Sequence, residues 1–447
     1  MLQVDLPPSV IARWEMDAGF RRHDEPDKAS QKPESHSMSA SNQRAVRFVC
    51  LTLLIDAIGF GIVMPVLPGI IMKLGHVGLA DATRIGGWLG VIYAAVQFLT
   101  GPLVGNLGDR FGRRPVILGC LAGFSIDYAL MGFAPSLGWL FLGRALAGLF
   151  GASYGPAGAA MADLSTPEDR ARHFGMIGAA FGIGFVVGPA IGGLLGELGP
   201  RAPFQAAAAL SLLNFLFGLF VFPETHAREN RRPFEWKRAN PLGALVALRR
   251  HKGVLPVAFA SFWWALAHMI YPSTWSYYAI AAFGWTPGLI GASLTLVGLL
   301  MALSQMVLVG RVVERFGERH AAEIGIGFAM SAFIFYACLH NGWLVFPILA
   351  LTAMQSLVMP SMSGIMSRRV PADAQGELQG FSGSINALAS ILAPAIYNPA
   401  LAWFTGPQTP FYFPGVAFAI ATCFAAVALL TLFVIRRAPQ MPPATGS

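Results

Sequence analysis

Charged residues are scarce in this chain. Of its 447 residues only 12% are Asp, Glu, Lys or Arg, while 55% are hydrophobic and the mean hydropathy is +0.57. A soluble globular protein carries about twice that share of charge. The apolar residues form long continuous runs, which indicates a polytopic helical membrane protein and argues against the short alternating strands of a β-barrel.

Cysteine is also rare. Cys50, Cys120, Cys338 and Cys423 all fall inside apolar runs, and none has the spacing of metal ligands. We therefore predict no disulfide framework, no metal site and no cofactor. The chain also lacks paired catalytic groups and a phosphate-binding loop, so we expect no enzymatic activity.

Twelve apolar runs of roughly 20 residues or more, each long enough to cross a bilayer, follow the polar N-terminal stretch. They cover approximately residues 46–69, 84–107, 115–133, 137–162, 171–196, 203–223, 253–281, 287–310, 321–339, 343–366, 376–401 and 411–435. Residues 1–44 are predicted to be a disordered cytoplasmic tail, or a mis-assigned start with Met38 as the alternative. The domain boundaries predicted from these runs are an N-terminal bundle at 45–223, a cytoplasmic linker at 224–252, a C-terminal bundle at 253–436 and a tail at 437–447.

Arginine and lysine lie almost entirely on one side of these spans. The loop at 105–115 carries three arginines and one aspartate, whereas the next loop, 134–138, is uncharged. Basic loops stay in the cytoplasm, so both termini are predicted to be cytoplasmic. Topology and contact with anionic lipid headgroups account for the net charge of +8, and we expect no nucleic-acid partner.

The two halves of the chain are repeats. Residues 310–319 restate residues 105–114 at an offset of 205, and a Pro-x-Asp pattern ending at Asp169 returns 204 residues later at Asp373. We predict an all-α membrane fold of twelve helices in two pseudo-symmetric six-helix bundles, with a substrate cavity between them.

Few charges fall inside the spans, and each costs about 3 kcal/mol near the middle of the bilayer. Asp127 and Arg144 flank the uncharged loop at similar distances, which places them roughly 12 Å below the surface and predicts an ion pair. Asp56 reaches a slightly deeper level from the cytoplasmic side. Buried carboxylates of this kind indicate protonation sites, although a purely structural salt bridge is the alternative.

Several motifs resemble those of a known family. The loop with Gly105, Asp109, Arg110, Gly112, Arg113, Arg114 and Pro115 resembles the signature between helices 2 and 3 of the major facilitator superfamily. Four more stretches, around Asp56, at 125–128, at 142–144 and at 184–193, are similar to the twelve-helix drug:proton antiporters, in particular the tetracycline efflux proteins. The resemblance implies essential acids at Asp56 and Asp127 and an essential arginine at Arg144. It also implies a gating role for the charged loop, in which Asp109 and the arginines would tie helices 2 and 3 to the neighbouring bundle in the outward-open state. The alternative is that Asp109 only complements the N-terminus of helix 3.

The fifth span carries a glycine at every fourth position. Gly184, Gly188 and Gly192 share one face, with Pro189 and Gly193 beside them, so another helix can approach closely. The resemblance places this pattern where the two bundles meet and implies a role in alternating access. The alternative is that the glycines only allow two helices to pack tightly.

Candidates for the cavity wall come from the second half. Trp263, Trp264 and His268 are aromatic groups deep in the seventh span, and Gln305 is a polar residue well inside the eighth. The tetracycline exporters carry a histidine and an aspartate that align with Met301 and Ala329 here. Neither residue titrates, so proton coupling is predicted to rest on the first half.

These features together predict a proton-coupled antiporter of the inner membrane that exports a hydrophobic, drug-like compound of the tetracycline type. Its predicted partners are a small-molecule substrate, the proton and the lipid bilayer, and it is expected to act as a monomer. The alternatives are a proton-coupled symporter, an exporter of an unrelated metabolite on the same fold, and a receptor without transport activity.

Overall fold

A computed structural model describes residues 40–166, 168–235, 253–371 and 374–437. Residues 1–39 and 438–447 of the predicted tails, most of the linker, and Asp373 of the repeat lie outside these ranges. Residues 40–44, which we assigned to the disordered tail, instead form the first turn of a helix. The described residues from Arg44 onward belong to one compact unit, and the bundle boundaries at 223 and 253 stay a prediction.

The described residues form α-helices joined by short turns, with no strand among them. The first half of the molecule contains α1 (Ala40–Val63), α2 (Leu67–Gly75), α3 (Leu79–Phe111), α4 (Arg113–Gly132), α5 (Leu137–Phe150), α6 (Tyr154–Asp163), α7 (Arg170–Glu197) and α8 (Ala202–Val221). The second half contains α9 (Leu255–His268), α10 (Ile270–Phe283), α11 (Pro287–Ser304), α12 (Gly310–Cys338), α13 (Val345–Ala353), α14 (Val358–Ser367), α15 (Gln375–Thr405) and α16 (Val416–Arg437).

These helices confirm the twelve predicted spans. Nine stretches of the described chain are long and apolar enough to cross a membrane on their own. One of them, Pro287–Cys338, contains two spans that meet at Gly317, where the backbone is not helical. Two further spans, α5–α6 and α9–α10, are each interrupted by a short break near the middle. The chain is therefore an all-helical, multi-pass membrane protein.

The repeat is visible in the backbone. Gly112 has φ 103° and ψ 161°, and Gly317, 205 residues later, has φ 79° and ψ 159°. Both glycines adopt a conformation that is essentially closed to other residues, and both separate one span from the next. We call the end of the molecule that carries these two turns the basic end, and the other end the opposite end.

The two halves pack together near the opposite end, where α3 contacts α15 and α7 contacts α11. Glycines allow this approach: a Cβ atom on Gly193 would lie 2.8 Å from the carbonyl oxygen of Pro287, and one on Gly87 would lie 2.7 Å from Cβ of Asn398.

Within the described ranges, four hydrogen bonds that involve a side chain join the halves in the same region. They are Asn398 Nδ2 to Thr83 O (3.1 Å), Thr295 Oγ1 to Val186 O (3.2 Å), Gly288 N to Glu197 Oε1 (2.8 Å) and Ser276 Oγ to Met64 O (2.7 Å). The halves are thus closed against each other at the opposite end.

Candidate functional site

A cavity of about 740 Å³ lies between the two halves. Its wall is largely apolar and aromatic, with Phe60, Phe181, Phe185 and Trp275 among its members, and it continues toward the basic end as far as Gly178. Among the described residues that line it, Arg144 is the one with a permanent charge, and no carboxylate is exposed on the wall. A mostly apolar cavity with a few polar groups suits an organic molecule of drug size.

Arg144 connects the cavity wall to a buried acid. Its Nη2 atom lies 3.5 Å from Oδ2 of Asp127, whose side chain is 0% exposed. The guanidinium group also lies 5.6 Å from the ring centre of Tyr93 and contacts the sulfur of Met131. The predicted pair of Asp127 and Arg144 is present, with the arginine facing the cavity and the aspartate behind it.

The surroundings of Asp127 leave its charge poorly compensated. Neither carboxylate oxygen has a hydrogen-bond partner among the described residues, so Arg144 at 3.5 Å is its main support. Gly143 permits even this arrangement, because a Cβ atom there would lie 2.9 Å from Oδ1 of Asp127. Removing a carboxylate from water costs several kcal/mol, and one distant cation offsets this only in part.

Asp56 is held by a break in the neighbouring span. A 3₁₀ turn, Gly151–Ser153, separates α5 from α6, and there Ser153 Oγ donates a 2.9 Å hydrogen bond to Oδ2 of Asp56. The same turn leaves the carbonyl oxygen of Gly151 to accept from Nε2 of Gln97 at 3.0 Å. Such breaks free backbone groups from the helical ladder, and they are common at functional sites.

The predicted cavity residues of the second half divide into two groups. His268, Gln305 and Met301 line the cavity. Trp263 and Trp264 do not: Trp263 packs on Phe424 with ring centres 5.3 Å apart, and Trp264 is fully buried within the second half. Their position in the span was right, but rotation about the helix axis turns both rings away from the cavity.

The position that matches the family aspartate lies among apolar side chains. Ala329 is completely buried in the packed core of the second half. Met301, by contrast, is on the cavity wall, where its sulfur lies 4.0 Å from Nε2 of Gln355. Neither residue can carry a proton.

The glycine stripe of α7 faces a different partner from the one expected. Cβ atoms on Gly184, Gly188 and Gly192 would lie 2.4–2.7 Å from backbone carbonyl oxygens of α1, in the same half of the molecule. Gly193 faces α11 of the other half, and the carbonyl oxygen of Pro189 lies close to Gly291. The stripe therefore seats α7 on the part of α1 that carries Asp56, while its neighbours make the contact between the halves.

The charged loop forms an ion-pair cluster. Arg113 is buried and binds Asp109 at 2.7 Å and Asp163 at 3.2 Å, while its backbone N–H donates to Glu224 Oε1 at 2.8 Å. Gly112 makes room for this, because a Cβ atom there would lie 2.1 Å from Glu224 Oε2. None of these four charged residues lies in the second half, so among the described residues this cluster does not join the halves in the present conformation. The tie that the resemblance implies belongs to the outward-open state and stays a prediction.

The other members of the loop have separate positions. Arg114 Nη2 donates to the carbonyl oxygen of Leu219 at 2.7 Å, and Arg110 lies 5.0 Å from the ring centre of Phe111. Nothing approaches Gly105 closely enough to require a glycine there.

Sequence reasoning missed several residues of the site. Ser153, Gln97 and Gln355 are uncharged, so the sequence does not distinguish them from other polar residues in membrane helices. Asp163 and Glu224 stand at the ends of spans, where an acid needs no special explanation. The sequence offered one indication of the cluster around Arg113: Asp163 and Glu224 each stand next to a loop that is rich in arginine.

Two related helical halves that enclose a central cavity within the membrane, closed at one end, define the class of membrane transporters. The family model of the Major Facilitator Superfamily matches residues 49–394 and 257–447. The chain belongs to that superfamily, whose members are transporters and not enzymes.

Two relatives share much of the sequence. The Tetracycline resistance protein, class C, of Escherichia coli is 40% identical over 365 residues, which cover 79% of this chain and 91% of the relative. The Tetracycline resistance protein, class B, of Escherichia coli is 35% identical over 362 residues, or 80% and 89% of the two chains. The chain thus falls within the tetracycline efflux branch of the superfamily, as the motifs predicted.

A solved structure supports the fold. A bacterial homologue of the human lysosomal transporter Spinster, in an inward-facing and unoccupied conformation, superposes with a TM-score of 0.73 at 17% identity, covering 89% of this chain and 98% of the other. At that identity the likeness concerns the fold alone.

Proposed function

We propose that this protein is a proton-coupled antiporter of the inner membrane that exports a hydrophobic, drug-like compound of the tetracycline type. The observation that carries the proposal is the buried pair of Asp127 and Arg144, in which the cation stands on the cavity wall and the acid behind it. The similarity to tetracycline resistance proteins supports the substrate class.

The pair offers a way for proton and substrate to exclude each other. When Asp127 is ionised it neutralises Arg144, and the cavity wall carries little net charge. When Asp127 takes up a proton, Arg144 loses its partner and adds an uncompensated positive charge to the wall. A substrate with cationic character binds the first state better than the second, so proton uptake releases it. Binding of either ligand then opposes the other by the same free energy.

Asp56 provides a second acid in the first half, although it is not among the residues that line the cavity. Ser153 holds it at 2.9 Å in the break between α5 and α6, next to the turn that Gln97 also contacts. Because Met301 and Ala329 cannot titrate, the proposal places proton coupling in the first half, where one transported proton for each substrate molecule is sufficient.

The proposed direction of transport depends on which end of the molecule faces the cytoplasm. We place the basic end and both termini in the cytoplasm, by the distribution of arginine. The packing of the halves at the opposite end then makes this conformation inward-open. Substrate enters from the cytoplasm, the halves rock about the cavity, and protons from outside displace the substrate.

Drug resistance and proton release together test the proposal. The protein is expressed in a bacterial strain without its major pumps, and resistance is measured over a panel that includes tetracyclines. We expect resistance to at least one compound from the native protein and its loss in Asp56→Asn and Asp127→Asn. In inverted vesicles, that compound should release protons from the native protein and not from the two variants.

Asp81→Asn is the matched control, because Asp81 is exposed near the opposite end and, among the described residues, its ion pair is with the exposed Arg84 at 3.4 Å. It should transport like the native protein. Unchanged sensitivity to every compound would overturn the export function. Proton release that persists in both Asp56→Asn and Asp127→Asn would overturn the assignment of the coupling residues and leave export intact.

A further inference from the structure

A second cavity lies at the basic end, outside the transport path. It has a volume of about 600 Å³ and lies between the start of α4, the end of α8 and the segment that follows α8. Arg114, Arg228 and Arg231 line it, together with His226 and one acid, Glu224. Apolar side chains of the two helices, including Leu118 and Leu219, form the remaining wall.

The equivalent arginine in the second half has an acidic partner that Arg114 does not have among the described residues. Arg114 and Arg319 are equivalent residues, 205 apart, and each donates Nη2 to a carbonyl oxygen near the basic end of the last helix of its half, at Leu219 and Leu432. Arg319 also binds Glu323 through Nε at 3.1 Å. At the position equivalent to Glu323 the first half has Leu118, and Nε of Arg114 has no partner among the described residues.

Three more polar atoms of this wall are like Arg114 Nε in lacking a described partner. Arg231 Nε, His226 Nε2 and Thr225 Oγ1 are buried and have no hydrogen-bond partner within the described part of the chain. Buried polar groups without partners are uncommon, and four of them stand together in this wall.

Glu224 does not supply the missing partner. Its Oε1 atom accepts from the backbone N–H groups of Arg113, Thr225 and His226, at 2.8 Å, 3.0 Å and 3.0 Å, and its Oε2 lies 3.5 Å from Arg231. With three arginines against this one acid, the wall keeps a net positive charge. The ligand that fits is an anion with several acceptor oxygens.

We propose that this pocket binds the phosphate group of an anionic phospholipid. The phosphate would occupy the place that the carboxylate of Glu323 fills in the second half, and the Leu118 and Leu219 side of the pocket would receive the start of an acyl chain. Leu219 and its neighbour Phe220 are exposed on the outside of a membrane helix, where lipid has access. Basic pockets between membrane helices are established binding sites for anionic headgroups.

The pocket also touches the ion-pair cluster. His226 Nδ1 lies 3.3 Å from Asp163, and Glu224 binds the backbone of Arg113. The pocket therefore shares Glu224 with the cluster that secures the turn between α3 and α4, and it reaches Asp163 of that cluster through His226. We expect a bound headgroup to stabilise that turn.

The test compares lipids in nanodiscs. The full-length protein is placed in phosphatidylcholine discs with or without phosphatidylglycerol, and bound lipid is counted by native mass spectrometry while the thermal unfolding midpoint is measured. Leu118→Glu supplies the carboxylate of the second half, and Arg228→Gln removes an exposed arginine of the pocket that has no ion-pair partner among the described residues. Arg311→Gln is the control, because Arg311 is an exposed arginine of the same end in the other half.

We expect phosphatidylglycerol to stay bound to the native protein and raise its unfolding midpoint. Each pocket variant should weaken this binding roughly fivefold or more, which is the effect of about one charge at a membrane surface, and the control should not. Equal retention of phosphatidylglycerol by the native protein and Leu118→Glu would overturn the proposal. An equal rise in unfolding midpoint with inorganic phosphate in phosphatidylcholine discs would show a free anion as ligand and overturn the lipid assignment.

Discussion

Arg113 and Asp163 form an ion pair of 3.2 Å, and the second half repeats this pair 205 residues later with the charges exchanged, as Glu318 and Arg368. The first pair is more buried, because the side chain of Arg113 is 8% exposed whereas that of Arg368 is 73% exposed. The repeat thus preserves the position of the bond, but the exposure of its arginine to solvent differs between the halves.

Removing the arginine of the first pair should be costly. Arg113→Gln leaves Asp109 and Asp163 close together without their shared cation, and we expect the free energy of unfolding to fall by about 3 kcal/mol. Glu318→Gln breaks the exposed pair of the second half and should cost less than about 1 kcal/mol. Denaturant titration of both variants in mixed micelles measures the difference. Similar losses in the two variants would contradict the asymmetry.

The two turns with positive φ offer a second matched comparison. Gly112→Ala meets the strained backbone and also a contact of 2.1 Å with Glu224, whereas Gly317→Ala meets the strained backbone with nothing within 4 Å. Backbone strain of this type costs about 1–3 kcal/mol, so both variants should be less stable, and Gly112→Ala more so. Thermal unfolding in detergent checks the order.

Gly105→Ala is the control for this comparison, since it lies in a helix with open space around it. It should be neutral or up to about 1 kcal/mol more stable, because alanine favours the helix. A loss at Gly105 as large as the loss at Gly112 would show that the loop tolerates no substitution for reasons other than backbone conformation.

The packing of α7 on α1 should be sensitive to a single methyl group. In Gly188→Ala the added Cβ atom would lie 2.6 Å from the carbonyl oxygen of Ile58, a backbone atom that cannot rotate away. We expect a loss of about 1–3 kcal/mol in stability and reduced transport, because α1 carries Asp56. Gly175→Ala, at an open position on α7, should keep both. Full transport by Gly188→Ala would show that the close contact is dispensable.

Asn398 makes one of the hydrogen bonds that join the halves at the opposite end. Its buried amide donates to the carbonyl oxygen of Thr83 across the two halves at 3.1 Å, and Asn398→Ala removes that bond. We expect the closed state to lose about 1 kcal/mol relative to the open one, which is a fivefold change in the ratio of the two populations.

Spin labels at Leu198 and Trp343, both exposed near the opposite end, would report this change as a larger share of long distances. Asn386→Ala is the matched control, because the amide of Asn386 bonds to Ser382 within its own helix. An unchanged distance distribution in Asn398→Ala would refute the role of this bond in closure.

Much of the architecture follows from local properties of the sequence. The bilayer requires long apolar helices and keeps arginine on one side, so the spans and the turns at Gly112 and Gly317 can be located without a structure. The repeat of residues 105–114 at 310–319 predicted two related halves. The equal distance of Asp127 and Arg144 from their shared loop was enough to predict that they meet.

Other features depend on packing between distant segments, which the tertiary structure decides. The rotation of α9 turns Trp263 and Trp264 away from the cavity, and the rotation of α7 presents Gly188 to α1 rather than to the other half. The break at Gly151–Ser153 places Ser153 on Asp56, 97 residues away in sequence. The apolar pattern of a membrane helix gives little indication of which face meets protein and which meets lipid, because both partners are equally apolar.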